Sequence, residues 1–158
     1  MTYDFTKNTN KIMKKILNDI MQDINNKNYN SVYYNIKNGT AFDKSNLGFV
    51  SKAKFANVSA DNNVYFIFDS NNKMRYIGKK QNGEGINYRL KLHLIANKTK
   101  KTASCIDKVI GEIKNGVKEF RYIAIKVMPE YMAPAVESFL IDYYKNLKNP
   151  ECDFVKRK

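Results

Sequence analysis

The 158-residue sequence predicts an α+β domain, a three-stranded antiparallel sheet flanked by helices, with an N-terminal helical extension. Three observations predict it. Residues 64–77 hold two strand-forming runs split by a polar turn. Apolar residues recur at helical spacing in several other stretches, and one further alternating segment lies between the last two of them.

Taken in order, residues 9–26 carry Ile12, Met13, Ile16, Leu17, Ile20, Met21 and Ile24 on one stripe of a helix. That stripe suits either the domain's own sheet or a short dimer seam. Asp19 and Asp23 on the polar face argue against a membrane-surface role. Residues 29–62 are less legible. Val32 to Ile36 reads as a strand candidate, Asn38-Gly39 as a turn, and Lys44, Lys52 and Lys54 interleave with Phe42, Phe49 and Phe55. The interleaving suits DNA contact or an ordinary solvated loop.

Val64 to Phe68 then forms a strand, Ser70 to Lys73 a turn, and Met74 to Ile77 a second strand that Gly78 ends. A basic loop follows, and from Ile86 the spacing becomes helical, with Ile86, Leu90 and Leu94 on one stripe and Arg89 four residues from His93. Ala103 to Ile113 reads as another helix, capped by Thr102 or Ser104 and ended by Gly116. Phe120 to Val127 alternates as the third strand. A last helix begins near Pro134, with Val136, Phe139, Leu140, Tyr143 and Leu147 on its apolar face. The division this implies is an extension over 1–62, serving dimerisation or DNA reading, and a main unit over 63–158.

The formal net charge of +13 favours a polyanionic partner, although the abundance of Lys, Asn, Ile and Tyr is also the usage of an AT-rich genome. With only four arginines, Arg75, Arg89, Arg121 and Arg157, an arginine at a candidate site position such as Arg89 is more telling than another lysine. Cys105 and Cys152 stand apart, and a single His cannot complete a zinc site with them. Free thiols, no bilayer-spanning run and no apolar leader segment in MTYDFTKNTN predict a soluble cytoplasmic protein.

Val64-Tyr65 followed by Tyr76-Ile77-Gly78-Lys79 resembles the paired motif of the GIY-YIG nuclease superfamily. Arg89 with His93 resembles the R-x-x-x-H of that family's first helix. Glu137, within AVESFLIDYYKNLKN, resembles its metal-binding glutamate, and Asn149 falls where many members carry asparagine. The resemblance covers residues 63–150 and departs at Asn63, where the family usually has glycine; asparagine accepts positive φ better than most residues.

What the resemblance implies is a catalytic set of Tyr65, Tyr76, Arg89, His93 and Glu137. Glu137 would ligate Mg²⁺, for which Mn²⁺ can substitute, and Arg89 would clamp the scissile phosphate. Tyr65 would act as general base, Tyr76 would hold water or phosphate, and His93 would orient Tyr65 or share its proton. Lys79, Lys80, Lys91, Lys98, Lys100, Lys101 and Asn149 are the expected DNA contacts, although Asn149 also suits a bracing role at a helix end. Glu130 and Asp142 have no such placement. The expected activity is Mg²⁺-dependent endonucleolytic hydrolysis of double-stranded DNA by a restriction-type or phage enzyme. Since one such unit cuts one strand, a homodimer or tetramer follows. The alternatives are a homing or repair-type endonuclease and a non-catalytic, basic nucleic-acid-binding module that keeps the fold.

Overall fold

The computed structural model describes residues 1–6, 8–36, 47–49, 58–80, 85–94, 116 and 119–146. Their elements run β1 (Thr2–Asp4), α1 (Thr9–Asn25), β2 (Asn30–Ile36), β3 (Leu47–Phe49), β4 (Val64–Asp69), β5 (Met74–Lys79), α2 (Ile86–Leu94) and β6 (Glu119–Met128). A turn of 3₁₀ helix, Glu130–Met132, leads into α3 (Ala133–Asn146). The fold is α+β. The sheet is wider than the three antiparallel strands expected: its order is β3-β2-β6-β4-β5, and β1 pairs with β6 in parallel. The expected strands β4, β5 and β6 are present, with β4 in the middle and antiparallel to both its neighbours. The extra strands come from residues 1–62: β2 contains the strand candidate Val32 to Ile36, while the pairing of β1 and β2 to β6 is long-range and has no local signal in the sequence.

Strand alternation divides the sheet into two faces. Val64 and Phe66 share a face with Ile77, Ile123 and Ile125. Against it pack Met13, Ile16, Leu17, Ile20 and Ile24 of α1 and Ala133, Val136, Leu140 and Ile141 of α3. At roughly 1.5–3 kcal/mol for each large aliphatic buried, the α1 stripe contributes on the order of 10 kcal/mol to this core. Five residues of the stripe are buried inside the chain and Ile12 packs partly against them, while Met21 is exposed. Asn8 caps α1 by accepting from the Lys11 N–H at 3.1 Å, and Tyr3 of β1 donates to Asp19 of α1 at 2.8 Å.

On α3 the buried stripe differs from the one expected. Val136 and Leu140 are enclosed, whereas Phe139 and Tyr143 are exposed and stack on each other, 6.2 Å between ring centres. Both lie one position round the helix from the residues that meet the sheet. Among the described residues, no helix is long and apolar enough to cross a membrane.

The second face carries Tyr65 and Ile67 of β4, Tyr76 and Gly78 of β5, and Tyr122 and Ala124 of β6. Tyr65, Ile67 and Tyr122 are fully buried there. Ile86 and Leu90 of α2 are also buried, outside the core formed with α1 and α3.

Candidate active site

Strand β5 ends the sheet order, so the chain at Gly78 and Lys79 is within reach of groups from both faces. On one face Tyr65 lies opposite Gly78, and its ring stacks on Tyr76 at 5.8 Å between centres, 27° from parallel. Glycine is required at position 78. A Cβ built there would lie 2.5 Å from Tyr65 Oη and 2.6 Å from its Cζ, and closer still to Tyr76 Cε1. The two phenols thus lean over bare backbone. Tyr65 is completely buried, and Tyr76 keeps partial access to solvent.

Lys79, one residue on, belongs by register to the opposite face, the one that α3 covers. Its backbone N–H donates to the Glu137 carboxylate. Burial pushes the Glu137 carboxyl above its ordinary pKa, while the charge of Lys79, this N–H and the charge of Arg89 pull the other way. A carboxylate held in a half-buried place against two cations is suited to share a site with a further cation and an anionic substrate. Arg89 on α2 is near enough to Glu137 to act on it electrostatically. Tyr65, Tyr76 and Glu137 are in this way linked through the single dipeptide Gly78-Lys79, and Arg89 is tied to them only through its charge on Glu137.

The remaining expectations fare differently. His93 and Lys91 lie on α2, but their side chains are outside the described set, as are Lys98, Lys100, Lys101 and Asn149 altogether. Asn63 does not use positive φ; among the described non-glycine residues only Lys27 and Asn72 do. Instead its side-chain amide, buried, accepts from the Val127 N–H and donates to the Val127 carbonyl, both at 2.8 Å. Its backbone N–H donates to Ile125 O and its carbonyl accepts from the Lys80 N–H. Asn63 therefore continues the sheet past the end of β4, where glycine would offer no side-chain bonds.

The described cations are not uniformly available. Arg75 is nearly buried and spends its Nε and one Nη on Asp69 Oδ2 at 2.9 and 2.8 Å. Arg121 is held by Glu119 and lies 4.7 Å over the Tyr29 ring. Lys80 pairs at 2.8 Å with Glu130, a residue for which the sequence offered no site role. That pair lines a cleft of about 240 Å³ with Asn63, Lys79, Tyr131 and Pro134, beside the start of α3. The only signal for Glu130 in the sequence is its place seven residues before Glu137 at a helix entrance, which is too weak to act on. Among the described residues, no cluster of three or more His, Cys, Asp or Glu side chains is assembled for a metal.

Comparison of the chain with known protein families, curated proteins and solved structures finds no match.

Proposed function

We propose that this protein is a Mg²⁺-dependent endonuclease of GIY-YIG type, hydrolysing phosphodiester bonds of double-stranded DNA in a restriction or phage setting. One observation carries the reading: the Glu137 carboxylate of α3 accepts from the Lys79 N–H, within the electrostatic reach of Arg89, at the strand end where Tyr65 and Tyr76 stack over Gly78. The donor set fits a single hard cation, because one carboxylate completed by water and phosphate oxygens is a common way to hold Mg²⁺. Glu137 would hold it, and when bound the ion supplies neutralisation of phosphoryl charge and help for the departing 3′ oxygen.

The chain's own groups do the rest. The Arg89 guanidinium grips the scissile phosphate through two oxygens and so fixes it in line. Of the two phenols, Tyr76 is the one with solvent access, so it contacts the attacking water. Tyr65, enclosed beside it, orients Tyr76 or, as its phenolate, takes the Tyr76 hydroxyl proton while Tyr76 takes the proton of the water. Lys79 holds Glu137 in place by its N–H and adds positive potential for the incoming DNA. A double-strand break requires two such sites, supplied by a second copy or by successive nicks.

A second reading, a non-catalytic nucleic-acid-binding module on the same scaffold, draws on the complete burial of Tyr65. Plasmid nicking with and without Mg²⁺, wild type beside Glu137→Ala, separates them. The nuclease reading expects metal-dependent nicking that falls by about 10³ in the variant, a loss within the range known for removing a key electrostatic group. Binding without cleavage, or cleavage indifferent to metal, overturns it.

A further inference from the structure

The Lys80–Glu130 pair is asymmetric. The Lys80 side chain is 21% exposed and its backbone N–H is tied to Asn63, whereas the Glu130 side chain is 67% exposed. The cation is built into the wall and the anion stands in solvent, so the partner that can be exchanged is the carboxylate. Next to it, Tyr131 is 79% exposed, the most open large hydrophobic residue among those described. Both border the same cleft, and Lys79, which holds Glu137, lines it too.

We propose that this cleft is a subsite for the nucleotide flanking the scissile phosphate, in which Glu130 occupies Lys80 in place of a phosphodiester until nucleic acid displaces it, and Tyr131 gives the adjoining base a stacking surface. The inference rests on the nuclease reading and names where its substrate extends. An exposed ion pair is held weakly, so a phosphate backbone with its high local charge density can take over the lysine. Base stacking on an exposed ring is indifferent to sequence. The subsite thus adds affinity and position without adding a recognition code.

The test is anisotropy of a fluorescently labelled duplex with a short single-stranded overhang, titrated with full-length protein in EDTA so that no cleavage occurs. Glu130→Gln is expected to tighten binding by about threefold to tenfold, because Lys80 is released. Lys80→Ala weakens binding and lowers the slope of log affinity against log salt by about 0.7–0.9, one phosphate contact. The gain from Glu130→Gln vanishes in the Lys80→Ala background, which a mere folding defect would not produce. Tyr131→Ala weakens binding by about fivefold or more with the salt slope unchanged, and Tyr131→Phe restores it. Unchanged or weaker binding by Glu130→Gln, or no loss in Tyr131→Ala, overturns the subsite. Wild-type nicking in Mg²⁺, measured in parallel, judges the nuclease reading separately: a cleaving protein with an inert Glu130 sinks only the subsite, and a non-cleaving one with the predicted binding pattern sinks only the catalysis.

Discussion

At the turn end of the β4–β5 hairpin, Asp69 accepts at Oδ1 from the N–H groups of Asn71 and Lys73 at 2.8 and 3.0 Å, while Oδ2 takes the Arg75 guanidinium. The strand pairing skips Arg75, in a bulge between the Ile67–Tyr76 and Phe68–Met74 pairs, which frees its side chain for this contact. At the open end, Glu137 has cations and a backbone N–H nearby, yet burial still lifts its pKa. At both ends a carboxylate feels the charge of an arginine, in direct contact at Asp69 and through space at Glu137. One is saturated with donors and serves the fold; the other leaves its charge at a cost that a bound cation would remove. A carboxylate's burial therefore says less about its role than the balance between that burial and its donors.

The contrast can be broken at either end. The largest expected change is from Asp69→Ala, which strands the nearly buried Arg75 and opens the turn; a loss of about 3–5 kcal/mol in a denaturant melt is expected, with cleavage per folded molecule unchanged. Activity lost beyond the folded fraction would mean the two ends are not independent. Asn63→Ala leaves the Val127 N–H and carbonyl without their side-chain partner inside the sheet, at a cost of about 2–4 kcal/mol in the same measurement. Gly78→Ala forces Tyr65 and Tyr76 apart, costing about 1–3 kcal/mol and lowering nicking more than that instability explains. A fully active Gly78→Ala protein would detach the phenols from the chemistry.

The smallest effect is the most diagnostic. Because the Glu137 pKa is raised in the folded state, the folded protein binds that proton more tightly than the unfolded chain does, and stability is lost as pH rises through the raised value. Glu137→Gln removes that loss. It should melt a few degrees above wild type near about pH 8 and coincide with it at about pH 4 or below, where both side chains are neutral. A lower melting temperature for the variant near pH 8 would show that Lys79 and Arg89 outweigh burial, making Glu137 resemble Asp69 after all. Wild-type nicking should in turn climb with pH as the carboxyl ionises.

Much of this could be read from the chain by its local patterns. Strand formers on both sides of a polar turn gave β4 and β5, the alternation over 120–127 gave β6, and the spacing of Ile16, Ile20 and Ile24 gave the buried face of α1. Of the residues singled out by resemblance, Tyr65 and Tyr76 come together over Gly78, and Glu137 reaches the neighbouring Lys79 N–H. What escaped depends on distant partners. The parallel pairing of Thr2–Asp4 with Lys126–Met128 is too short to leave a pattern, the bonding of Asn63 requires knowing that Val127 lies beside it, and Arg75 looks like any surface cation until Asp69 is placed. Glu130 was passed over because an exposed acid at a helix entrance is ordinary until its lysine is known.

Strand β6 has a further consequence. It is the seam to which β1, β2 and β4 are all sewn, and its partners lie as far back as Thr2. Residues 63–158 produced without what precedes them would leave one flank of that seam as bare amides and the hydrophobic bed of α1 open to water, an invitation to self-association. Shortened versions of this protein are therefore better begun ahead of Thr2 than at Asn63.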